Sequence, residues 1–213
     1  MNAAGGMRVP PGRAGRLWLR GRLQVAERGL DLLDRKLRIL RGEHERLALR
    51  AQRTGHDWEL ACQQAETWLL RAALLGGQRA LRLSADGQDT EVSIVWRDTM
   101  GLHYPAEATC DFAAEEPPLG GAALDLAKTA HQAALSAAVE HAAATAALAT
   151  LEDEIAATSQ RLRAIQDRWI PRLRAALAEL ELALDESEQA DAARLRRAVT
   201  IAGLTGDGTR SRG

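Results

Sequence analysis

Five histidines (His44, His56, His103, His131, His141) and two cysteines (Cys62, Cys110) are the side chains here able to ligate a transition metal or serve as base and nucleophile. Their spacing suits neither task. There is no HExxH pair on a helical face, no CxxC and no Cys/His cluster, and neither cysteine has a recognisable histidine partner in sequence. Phosphate chemistry needs a glycine-rich loop whose backbone amides cradle the anion, and no GxxxxGK[ST] or GxGxxG is present. A GxSxG nucleophile elbow is also missing. Glu115 and Glu116 are adjacent carboxylates, but they sit in a Pro/Gly-rich linker and read as solvated. The expectation is therefore no catalytic, cofactor-binding or metal residue, and no cofactor.

What the chain does have is apolar periodicity. One stripe runs Leu23, Ala26, Leu30, Leu33, Leu37, Leu40, passes over His44 and resumes at Leu47. A second runs Leu148, Leu151, Ile155, Thr158, Leu162, Ile165, Trp169, and continues through Leu173, Leu177, Leu180 and Leu184. Spacings of three and four keep each stripe on one narrow face of a helix, as in a coiled-coil seam. One chain supplies both stripes, and neither can stay in water. The fold class expected is mostly α: a long antiparallel two-helix coiled-coil hairpin, with a small β-hairpin or irregular knob at the bend. His44 on the first seam reads as a register-setting polar member rather than a ligand.

The rest of the chain divides accordingly. Residues 1–12, rich in Gly, Ala and Pro, form an irregular arm, and residues 13–83 the first long helix, with Thr54-Gly55 a candidate kink and Gly76-Gly77 a weak point. Seventy helical residues span roughly 100 Å. Residues 84–121 break the period. There Val92, Ile94 and Trp96 alternate in strand fashion, Asp98 to Gly101 can turn, Leu102 to Phe112 can return, and Pro105 restricts the return to an edge. Glu115 to Gly121 reads as a linker. Residues 122–200 form the second long helix, kinked near Pro171, where the missing amide and a run of four-residue spacings (165, 169, 173, 177) locally relax the supercoil. Residues 201–213 read as a disordered tail. The alanines from Ala133 to Ala149 suit either close helix approach or a plain solvated helix.

Charge and composition narrow the partners. Arg8, Arg13, Arg16, Arg20 and Arg22 crowd the start of the first helix, against its dipole, while Glu179, Glu181, Asp185, Glu186, Glu188 and Asp191 lie near the end of the second. Antiparallel pairing explains both clusters, and a polyanion-binding arm is the rival reading. Arg22, Lys36 and Glu43 flank the first seam on one side, and Glu27, Asp34 and Arg41 on the other. The formal net charge of -1 gives no bias toward nucleic acid or anionic lipid. The amino terminus MNAAGGMRVPPGR lacks an apolar core for a secretory signal, and both cysteines read as reduced thiols. The longest apolar stretch, Ala133 to Leu151, is mostly alanine and interrupted by Glu140 and His141, too weak for a membrane span.

Three patches resemble the D subunit of the vacuolar-type and archaeal-type rotary ATPases. LQVAERGLDLLDRKLRIL, residues 23–40, is similar to the family's amino-terminal pattern, with Gly29 at its glycine, Leu32-Leu33 at its leucine pair and Arg35-Lys36 at its basic pair. RLRAIQDRWIPRL, residues 161–173, is similar to its carboxy-terminal stretch ending in Ile170, Pro171, Arg172 and Leu173. Met100-Gly101-Leu102 with Pro105 is a fainter likeness to its middle turn. The resemblance implies a non-catalytic central-stalk rotor, cytoplasmic and peripheral to the membrane. It would carry torque between the catalytic A and B subunits and the ion-translocating ring, with the central-stalk F subunit and the membrane-ring adaptor, the C subunit, as further partners. Nucleic acid is not among the partners, and membrane contact is only indirect. The alternatives are a free-standing coiled-coil adaptor and an F-type gamma-like rotor, whose middle needs a larger α/β domain than residues 84–121 allow.

Overall fold

A computed structural model describes residues 8–84, 90–112 and 121–207. The described chain is mostly helical, with one two-stranded antiparallel sheet. It divides into two compact units, Met1–Asp34 with Gln160–Gly213 and Arg35–Ser159. In each, a segment of the first helix lies antiparallel to a segment from the carboxy-terminal half.

Helix α1 spans Gly12–Ser84. It starts immediately after Pro10 and Pro11, and the next proline in the chain is Pro105, so no ring interrupts it. Gly77 does interrupt it: φ 70° and ψ 169° lie in a region that only glycine occupies without strain. The Gly76-Gly77 weak point is thus a break, whereas no break occurs at Thr54-Gly55.

Strands β1 (Glu91–Thr99) and β2 (Leu102–Asp111) pair from Glu91↔Asp111 to Thr99↔Leu102. Met100 (φ 53°) and Gly101 (φ 77°) close the hairpin, and two successive positive φ values match the right-handed twist of the strands. Val95 faces Glu107 and Trp96 faces Pro105, so Ala106 is a bulge without a pairing partner. One face of β2 is buried at Tyr104, Ala106 and Ala108, while β1 is exposed along nearly its whole length.

Helix α2 spans Ala122–Ala164 and α3 spans Ile170–Asp207, joined without a loop by one π-helical turn, Ile165–Trp169. The Ile170 amide donates to the Ile165 carbonyl, five residues back. A proline ring collides with the carbonyl four residues before it in a regular α-helix, so the wider turn placed immediately before Pro171 makes room. The helix runs past residue 200 to Asp207. The expected linker 115–120, and residues 1–7, 85–89 and 208–213, lie outside the described residues.

By length and composition alone, the stretch Ala122–Thr200 is apolar enough to cross a membrane. Its apolarity is largely alanine's, and Ala127, Ala134, Ala143, Ala144 and Ala147 are buried within the folded chain.

Candidate functional site: the paired helices and the hairpin clamp

In the unit built from both ends of the chain, the core is Leu19, Ala26, Ile170 and Leu173, with Val9, Trp18, Leu23, Ile165, Leu177 and Leu180 against it. Val9 packs on it, and Pro10 lies over Gly15, where a Cβ would stand 2.0 Å from the Pro10 carbonyl oxygen and 3.1 Å from Leu180 Cδ2. Three ion pairs border this core. Arg13 donates to Glu188 at 2.9 Å, Arg20 to Glu181 at 2.6 Å and Arg174 to Glu27 at 2.9 Å. The α1 members rise by sevens as the α3 members fall by sevens, which is the signature of an antiparallel coiled coil. Arg13 and Arg20 of the basic cluster thereby pair with Glu188 and Glu181 of the acidic one.

Residues 35–159 hold the second core: Leu47 of α1, Tyr104 of β2, and Ala147 and Leu151 of α2, with Leu102 and Leu148 packed on it. Tyr104 is fully buried and is the clamp of the hairpin. Its hydroxyl donates to Glu43 at 2.5 Å, and the Arg46 guanidinium binds the same carboxylate. The Arg46 hydrogen bond holds the Glu43 carboxyl below the usual carboxylate range, helped by Tyr104 and by the charges of Arg46 and Arg97, while burial pulls the other way. The Arg46 guanidinium is raised in turn, chiefly by its bond to Glu43. Arg50 makes a second tie: it donates to the Ala106 carbonyl at the bulge and to Glu140 of α2 at 3.2 Å.

Polar groups punctuate this seam. Thr158 is fully buried and donates to Glu154, which also accepts from Lys36 at 2.6 Å. His44 lies 3.1 Å from Glu152. Thr54 Oγ1 meets His141 Nδ1 at 3.2 Å, the His141 ring stacks on Trp58, and a Cβ on Gly55 would stand 3.1 Å from that ring. The other histidines serve local contacts: His131 bonds the Ala127 carbonyl, and His103 stacks on Trp96 beside Asp98. His56 is exposed, and Cys62 and Cys110 are free thiols. Among the described residues no three His, Cys, Asp or Glu side chains are grouped to hold a metal.

Of the seam residues named from the sequence, Ala26, Leu37, Leu40, Leu47, Leu151 and Leu173 are buried. Leu23, Leu30, Leu33, Leu148, Ile155, Leu162, Ile165, Leu177, Leu180 and Leu184 are half-buried, as expected where two helices cover only one side of each other. Trp169 lies differently from the rest. It is 40% exposed, because the π turn adds one residue to the spacing and delivers Ile170 to the seam instead. Pro171 itself is exposed, next to that turn. Sequence reasoning also missed Leu19, one heptad before Ala26, and the alanine continuation Ala51, Ala65 and Ala72. Tyr104 was missed too, although it is the chain's lone tyrosine and sits in phase with Leu102, Ala106 and Ala108.

Comparison with known proteins agrees with this geometry. The family described as the ATP synthase D subunit matches residues 17–200. A V-type ATP synthase D subunit from Anaeromyxobacter sp. (strain Fw109-5) is 32% identical over 200 residues, covering 89% of this chain and 92% of the relative. The V-type ATP synthase D subunit of Thermus thermophilus is 29% identical, over 89% of this chain and 86% of its own. The A-type ATP synthase D subunit of Methanopyrus kandleri is also 29% identical, over 89% and 84%. With a match that takes in both arms of the helical pairing and the hairpin between them, this chain belongs to the family of ATP synthase D subunits.

Proposed function

We propose that this chain is the central rotor shaft of its rotary ATPase, a non-catalytic component that carries torque. The catalytic A and B subunits would surround the paired terminal helices. The F subunit and the membrane-ring adaptor, the C subunit, would bind toward the hairpin end, holding the chain at the cytoplasmic face without entering the membrane. ATP would be made or hydrolysed on the A subunits, and protons or sodium ions would move in the membrane sector. The observation that carries this reading is the family match across residues 17–200. The heptad-spaced pairing of the two ends supports it, since a paired helix resists bending and twisting better than a single one. The sequence also offers no phosphate-binding loop through which it could handle nucleotide itself.

Co-expression with the A, B and F subunits tests the reading. The chain should purify with them in a complex whose ATP hydrolysis drives ion movement in membrane vesicles. A chain that purifies free, and whose omission leaves ATP-driven ion movement intact, would contradict it.

A further inference from the structure

The last stretch of α1 carries two instructions that disagree. In sequence, Leu70, Leu74 and Leu81 are spaced so that a straight helix sets them within about 40° of one another, as one apolar stripe. In the structure Gly77 interrupts the helix between Leu74 and Leu81, at φ 70° and ψ 169°. Nothing packed against the helix forces that break. Ala72 is the last buried residue of α1 among those described, and a Cβ on Gly77 would meet no atom within 4 Å. The break is written into the glycine pair instead. Gly77 supplies a backbone conformation that other residues adopt only under strain. Gly76 supplies space: a Cβ there would stand 3.2 Å from the Ala80 Cβ, whereas successive turns of a regular helix keep such atoms about 5–6 Å apart. A straight helix needs neither glycine, and alanine suits it better at both positions.

We infer that Gly76-Gly77 is a two-state joint, broken in one form and straight in the other, which dismantles and assembles the stripe of Leu70, Leu74 and Leu81. The two forms differ little in free energy. The break gives up a few helical hydrogen bonds where the backbone is open to water, which replaces them, and it returns conformational freedom to two glycines. The flanking leucines favour neither form by burial, since Leu70 and Leu74 are exposed in the broken one. The joint concerns the backbone of α1 alone and stands apart from the rotor reading, so either can fail without the other.

Spin labels at Gln64→Cys and Arg82→Cys, with Cys62→Ser and Cys110→Ser in the full-length chain, read the state of the joint. Both labelled positions are exposed and lie on either side of Gly77. A straight helix sets them about 27 Å apart, and the break brings them closer. With both glycines in place, the chain should give two distance populations, the long one and a shorter one. Gly77→Ala should leave only the long distance, because alanine strains the broken backbone and favours the helix. Gly76→Ala should shift the populations the same way through its contact with Ala80. A single distance with both glycines present would overturn the joint. So would a short population that survives in Gly77→Ala, or populations in Gly76→Ala equal to those with both glycines.

Discussion

Tyr104 and Glu43 show how one side chain fastens the hairpin. The tyrosine ring fills the space between Leu47, Ala147 and Leu151, and its hydroxyl reaches a carboxylate already held by Arg46. Tyr104→Phe keeps the ring and loses a hydrogen bond to a charged group, an expected cost of about 1.5–3 kcal/mol. Tyr104→Ala removes the ring as well and should cost about 3–5 kcal/mol, with much faster amide exchange in β2. Chemical denaturation of the two variants checks the order, and equal losses would mean that the ring does not fill a packed site. The pH dependence has a definite sign. Because folding lowers the Glu43 carboxyl, its stabilisation is complete above the ordinary glutamate value and is lost as pH falls through the folded value. The stability difference between the wild type and Glu43→Gln should be flat above about pH 5 and shrink below about pH 4. A difference that does not shrink in acid would contradict this assignment.

At the scale of elements, the leucine stripes, the hairpin turn and the paired terminal charges were legible, because each imposes a period or a sign that few other structures share. Less legible were the features built from small residues. Ala51, Ala65, Ala72 and the alanines of α2 are buried as a seam, yet alanine suits a solvated helix equally well, so its spacing carries little information. Gly15 and Gly55 allow the close approach of Leu180 and His141, contacts between residues that no local pattern connects. Pro171 marks the place of the helix irregularity but not its form: a π turn of five residues shifts the seam from Trp169 to Ile170. Pro171→Ala removes the ring that a regular α-helical turn cannot accommodate. The variant should assemble normally while ion movement per ATP hydrolysed falls; coupling equal to wild type would make the proline incidental to function.

For the whole molecule, the rotor role proposed above rests on family membership and on the pairing of the chain's two ends. Leu33 sits on the α1 seam, half-buried against water. Leu33→Asp places a charge where the helices meet, and it should either block assembly or leave ATP hydrolysis running without ion transport. A fully coupled complex carrying Leu33→Asp would count heavily against a seam that transmits torque. The most direct measurement is of rotation itself. Ser93 lies on the exposed strand β1, so a bead tethered at Ser93→Cys, in a complex immobilised through its catalytic subunits, reports the motion of this chain. On addition of ATP the bead should turn stepwise in one direction. A bead that stays still while the same complexes hydrolyse ATP would contradict the rotor assignment.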